Sequence, residues 1–181
     1  MNRNEHCADL HRQVGEFIAS FSEIESVLVH YITLFVYVRL NAIVDLKAVS
    51  SQAAVSAQLL LEDLTDFLLA DSVFKNKLDK YCCLANFVIQ EKTPSQAKQL
   101  FSRLGRLRAK LMELSDFRNA VAHSRWAYSR LGATSRNVRT SSGAFKVERD
   151  RINKHTLQQN ITSISSCLVA LSKFHIEILE C

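Results

Sequence analysis

The stretch "LSDFRNAVAHSRWAYSR", residues 114–130, gathers the side chains of this chain best suited to chemistry. Arg118, Asn119 and His123 stand where a helical pattern ends, and Arg125, Trp126, Tyr128 and Arg130 follow at once. Arginine keeps its charge at any ordinary pH and offers a planar fork of donors to phosphate oxygens. Histidine titrates near neutrality, so His123 suits the part of base or acid. Asp116, Asn119 and His123 are spaced by three and four and share one stripe of a helix. Asn119 therefore sits one turn from His123, within reach of a ring nitrogen. Arg118 and His123 are five apart, roughly 140° around an ideal helix. They flank one groove, but one straight helix does not point both at the same atom; a frayed helix end or a second copy of the chain would. Arginines that hold phosphates and aromatics that stack on unpaired bases make Arg125, Trp126, Tyr128 and Arg130 an RNA-binding flank. Structural roles stand beside these. Arg118 could pair with an acid such as Glu25 or Asp116, His123 could answer the helix dipole, and Trp126 could close the end of a core.

The elements that must position these residues read as helices. The chain has 181 residues, 48% of them apolar, with one proline and four glycines. That is one domain of ordinary size, able to bury a core without staples, with few breakers to interrupt helices. Phe17, Phe21, Ile24, Leu28, Tyr31, Phe35 and Val38 alternate spacings of four and three, which predicts a first helix over about 11–39. A second is predicted over 45–70 and a third over 72–90 with Ser72 as its cap. Thr93 and Pro94 suit the start of a fourth, which runs to about His123 on a seam of Leu100, Leu104, Leu107, Leu111 and Leu114. The same rule carries that seam to positions 118 and 121. Position 121 is Val, but 118 is Arg, an arginine in an apolar slot. "WAYSRL" and "FKVER" alternate, and between them lies "GATSRNVRTSSG". This predicts a β-hairpin insertion over about 125–150 with a long, mobile basic loop. Thr156 is the expected cap of a last helix whose stripe is Leu157, Ile161, Ile164, Leu168, Leu171 and Ile178, with His175 in the remaining slot. The expectation is an all-α, antiparallel bundle of about five helices with a small hairpin before the last, as a single domain over 1–181.

Charge is divided unevenly. Residues 1–90 carry 7 Lys/Arg against 11 Asp/Glu, residues 91–181 carry 16 against 7, and the segment 103–154 alone carries 13 against 4. A concentrated basic segment is the footprint of a polyanion partner. The five cysteines show no C-x2-C spacing and the six histidines are scattered, so no metal or cofactor is expected and the thiols read as reduced. The N-terminus lacks a signal-peptide shape, and the longest apolar run, residues 27–38, is shorter than the roughly 20 residues a spanning helix needs. A cytoplasmic protein without a membrane segment is expected.

"RNAVAH", residues 118–123, resembles the R-x4-6-H motif of HEPN domains, with the polar residue that often follows the arginine present as Asn119. "FSEIESVL", residues 21–28, resembles the first long helix of that family, and the Leu-rich helix entering the motif is similar too. The resemblance covers most of the helical chain, and its specific part is the six-residue motif. It implies a small helical bundle, often a homodimer, and a metal-independent endoribonuclease of the toxin–antitoxin or phage-defence kind. Arg118, Asn119 and His123 would be its catalytic residues, RNA its substrate, and an antitoxin or other protein its partner. A non-catalytic HEPN module that binds RNA, a nucleotide or a protein is the other expectation. Some members carry a nucleotide-modified tyrosine two residues after the histidine; that position here is Arg125, so that control is not implied.

Overall fold

The computed structural model describes residues 3–43, 73–123, 125–129, 132–141, 144–150 and 152–180, with side-chain placement for 8–38, 73–122 and 152–180. The described chain is a helical bundle protein with a small sheet: α1 (Arg3–Ile43), α2 (Phe74–Gln90), α3 (Pro94–His123), β1 (Arg125–Ser129), β2 (Gly132–Ser141), β3 (Ala144–Asp150) and α4 (Lys154–Glu180). Four helices are described where five were expected; the expected helix over 45–70, and Ser72, lie outside the described residues. The expected hairpin is not what forms. The "GATSRNVRTSSG" stretch is not a loop between two strands but supplies the middle strand of a three-stranded antiparallel sheet, ordered β1-β2-β3. Its β-branched residues Thr134, Val138 and Thr140 fall on alternate positions, which suits a pleated strand.

Helix boundaries follow local chemistry. α3 starts at Pro94, whose missing N–H costs nothing in a first turn. Thr93 precedes it; its carbonyl accepts from Ala97 N at 2.9 Å and its hydroxyl bonds Gln96 Oε1 at 2.7 Å. The cap of α4 is Asn153, not Thr156. Asn153 Oδ1 accepts from Thr156 N at 2.9 Å, and Thr156 Oγ1 accepts from Asn153 N at 3.0 Å, so each side chain satisfies the other's backbone donor. Ile152 and Leu157, both buried, stand one residue before and four after that cap, where a hydrophobic staple belongs. α1 extends past the apolar stripe at both ends. Within it Val38 is 45% exposed and drops out of the expected stripe, while Ile32 is buried.

The chain separates into two compact units, residues 1–23 with 110–169, and residues 24–109 with 170–181. In the first, Phe17 meets Phe117 edge to face at 5.1 Å, over a core of Leu111, Leu114, Val121, Leu157, Ile161 and Ile164. Asp9 ties the starts of α1 and α4 together, bonding Lys154 Nζ at 2.8 Å and Arg12 Nη2 at 2.9 Å. Those two cations, Lys154 first, hold the Asp9 carboxyl below its usual range.

In the second unit all four helices contribute. Arg108 bonds Asp79 at 2.8 Å, and Arg103 grips both oxygens of Glu177 while its guanidinium lies 5.7 Å over Phe174. At its centre His175, 2% exposed, stacks on Tyr31 with centroids 3.9 Å apart and planes 10° apart, and meets Phe35 edge-on at 4.7 Å. Tyr31 Oη is held by Ser172 Oγ at 2.8 Å. Neither nitrogen of His175 has a hydrogen-bond partner among the described residues, nor has Tyr81 Oη. Burial pushes the imidazole down to about 4, with His30 adding to the effect. His175 is therefore neutral at physiological pH. Burial likewise raises the Cys82 thiol to about 11, which marks it as a packing residue and not a nucleophile. Cys82, Cys83 and Cys167 are free thiols.

Two helical stretches, Ala8–Val38 and Lys154–Glu180, are long and apolar enough to cross a membrane by length and composition, a test that core helices of soluble proteins also pass.

Two outcomes follow. Asn153→Ala removes one half of the reciprocal cap and lowers stability by about 1 kcal/mol in chemical denaturation, with Asn153→Asp close to wild type. His175 binds its proton more weakly folded than unfolded, so its contribution is complete above about pH 6.5 and is lost as pH falls toward 4. The loss amounts to about 3 kcal/mol. His175→Phe keeps an aromatic ring in the stack, and its stability falls less than wild type's between pH 7 and 4. Parallel pH profiles for the two proteins would show that His175 is not the group responsible.

Candidate active site

Every candidate residue falls within the first unit. α3 delivers the motif in its last two turns and ends at His123, as the Leu seam requires. Leu100, Leu104, Leu111 and Leu114 are buried, and so is Val121, the next apolar residue of the seam. Arg118 lies between Leu114 and Val121 but is only partly exposed, not buried. Phe117 takes over the packing beside it, edge-on to Phe17, and Ser115 is buried on the same turn. The apolar stripe thus shifts by one residue at the point where the arginine interrupts it. A guanidinium cannot shed its charge, so it cannot follow the leucines into the core.

Arg118 Nη1 donates to Asn119 Oδ1 at 3.2 Å. No ion pair joins Arg118 to Asp116, which is exposed in the same unit, and Glu25 belongs to the other unit. The alternative role as an ion pair with Asp116 is therefore not taken up. Asn119 lies within reach of a His123 ring nitrogen by helical spacing, but the His123 side chain lies outside the described placements. The carbonyl oxygen of Asn119 accepts from Arg118. The backbone places His123 as the terminal helical residue.

The chain turns straight from α3 into the sheet, with Arg125 the first residue of β1. Trp126 and Tyr128 occupy alternate positions of that strand, opposite Ser135 and Ala133 of β2. Arg125 stands opposite Arg136. Arg130 lies outside the described residues. The same unit also contains a polar cleft of about 550 Å³ that the sequence did not announce. Its lining includes Lys110, His155, Gln159, Asn160 and Ser163, and none of the motif residues. Gln158, Gln159 and Thr162 gave it only a generic polar signature in the sequence, indistinguishable from a solvated helix face.

Chemically, the helix end offers a guanidinium partly open to solvent and bonded to an adjacent amide, with His123 at the helix terminus and a strand of arginine and aromatic residues following directly in the chain. No protein-family model, no curated protein and no solved structure matches the chain.

Proposed function

We propose that the chain is a metal-independent endoribonuclease of HEPN type that acts as a homodimer in the cytoplasm, in a toxin or phage-defence role. The observation that carries the reading is Arg118. It occupies an apolar seam position in the last turns of α3, stays partly exposed, and makes no ion pair with Asp116. A cation kept there at the expense of packing, one turn before a histidine and close to a basic strand, supports a phosphate-binding role.

The reaction needs four events. A base removes the proton of a 2′-hydroxyl. That oxygen bonds to the adjacent phosphorus. The bond from phosphorus to the 5′-oxygen breaks, and an acid protonates the departing oxygen. The products are a 2′,3′-cyclic phosphate and a 5′-hydroxyl. His123 serves as base or acid. Arg118 binds the crowded, doubly charged phosphorane through its fork of donors. Asn119, bonded to Arg118, fixes the guanidinium and presents Nδ2 to the substrate. One histidine supplies one proton-transfer group, so the second comes from the same motif of a second copy. That also answers the angle of roughly 140° between Arg118 and His123 on a single helix.

The cytoplasmic placement follows the reading of the cysteines as reduced thiols, and the charges within the two long apolar helices weigh against a membrane span. Ala8–Val38 contains Asp9, Arg12, Glu16, Glu23 and Glu25, and Lys154–Glu180 contains Lys173 and Glu177. Ionised groups at those depths are costly in a bilayer. The non-catalytic alternative, a module that holds RNA, a nucleotide or a protein, draws on the same angle: a monomer would offer only a binding groove.

The deciding assay incubates the purified chain with single-stranded and structured RNA in EDTA. Wild type yields fragments ending in 2′,3′-cyclic phosphate, and His123→Ala and Arg118→Ala each lose at least about 100-fold in rate. Arg118→Lys keeps the charge without the fork and falls between. Absence of cleavage across varied RNAs, with tight binding retained, gives the protein to the binding-module reading.

A further inference from the structure

The antiparallel registers bring three arginines into one row. Arg125 of β1 stands opposite Arg136 of β2, and Arg136 stands opposite Arg149 of β3. These residues are far apart in sequence, and no spacing announces them. Neighbouring strands lie about 4.8 Å apart, so the row spans about 10 Å. Like charges placed directly opposite one another destabilise a sheet. A row of three is a cost that a fold does not accumulate without a reason.

The rest of that face offers no relief. Side chains alternate between faces along a strand. Register places Ala127, Thr134, Val138 and Val147 on the face of the arginine row, and no Asp or Glu of the three strands falls there. Both acids of the sheet, Glu148 and Asp150, fall on the opposite face, opposite Asn137 and Ser135. That opposite face contains its own basic pair, Arg139 opposite Lys146, but Glu148 stands two residues from Lys146 on the same face. Among the described strand residues, one face thus carries acids beside its cations and the other carries none.

The row begins beside the motif. Arg125 is two residues beyond His123, so their Cα atoms lie no more than about 7 Å apart. A line of cations starting there and running about 10 Å outward is matched by successive phosphates of a strand better than by a single ion.

We infer that Arg125, Arg136 and Arg149 form a phosphate-binding row that holds the backbone of single-stranded RNA next to His123. The inference rests on the reading of RNA as substrate and adds Arg136 and Arg149 to it. Arginine, with its weakly hydrated fork, is the side chain for that work. Binding to phosphate is independent of base identity, so the row positions any sequence and selects none.

The test measures binding, not cleavage, and so is independent of whether the motif is catalytic. Fluorescence anisotropy follows a labelled single-stranded RNA with the full chain carrying His123→Ala, across a series of salt concentrations. Arg136→Gln with Arg149→Gln lowers affinity on the order of tenfold at about 0.15 M salt and reduces the salt slope by about 1.4, about 0.7 for each phosphate no longer neutralised. Arg139→Gln with Lys146→Gln removes the same charge from the opposite face and leaves the slope within a few tenths of its parent. Arg136→Glu gives the sharper contrast. An acid between two arginines raises the melting temperature while it weakens RNA binding, a pair of signs that unfolding cannot produce. Equal losses from the two double variants would reduce the effect to net charge and overturn the row. So would Arg136→Glu binding RNA as its parent does. If a polyglutamate chain binds as tightly as RNA and is lost with the same two arginines, the row is a face for acidic protein and the RNA assignment falls. Should wild type prove unable to cleave RNA while the row variants still lose binding, the row stands and the nuclease reading alone fails.

Discussion

Each of the long helices carries an apolar stripe at alternating spacings of three and four, and water has to be kept from all of it. A buried Leu or Phe contributes about 1.5–3 kcal/mol relative to exposure, so a polar residue on a stripe must either lose its charge or force the stripe aside. Among the described residues, His175 and Arg118 show the two outcomes. His175 takes the slot between Leu171 and Ile178, and its imidazole sheds a proton, stacks on Tyr31 and disappears into the core. Arg118 takes the corresponding slot between Leu114 and Val121, and a guanidinium has no neutral form to fall back on. The stripe moves to Phe117 and the arginine remains partly in solvent. Two residues that look alike on a helical wheel part company because one can be neutral and the other cannot.

That difference also decides how much of the molecule could be read beforehand. The Leu seam, the start of α3 at Pro94 and its end at His123 were legible because a 4-3 spacing and a single proline leave little choice. The cap of α4 was not. Asn153 and Thr156 both suit an N-cap, and the pair uses both, Asn153 as cap and Thr156 as its reciprocal partner. The buried Ile152 just before Asn153 was the signal that separates them. The middle strand was hidden by its composition, since Ser, Asn and Gly at its edges speak for a loop. The alternation of Thr134, Val138 and Thr140 was the evidence for pairing. The polar residues of the motif could be located in advance, but not the bond that joins two of them. Asn119 Oδ1 accepts from Arg118, its neighbour in the chain, a contact that helical spacing does not announce.

The arginine row belongs to a third category, in which the sequence contains the residues but no trace of their relation. Cross-strand neighbours are set by register, and a slip of one residue would move Arg136 to the other face. It would then share that face with Glu148 and Asp150. The observed register sets the three arginines directly opposite one another; a slip of β2 would put Arg139 on that face in place of Arg136. Hydrophobic pairing accounts for part of the choice, because Val138 stands opposite Val147 on the arginine face. One valine pair and three aligned cations on the same face mean that packing and electrostatics pull against each other there. On the proposed reading, a bound polyanion would offset the repulsion that this register sets up. Three arginines tolerate this better than three lysines would, since guanidinium groups are weakly hydrated and planar while ammonium groups concentrate their charge and hold their water. If the row binds RNA as proposed, the ligand is held more tightly by whatever repulsion between the facing arginines it offsets.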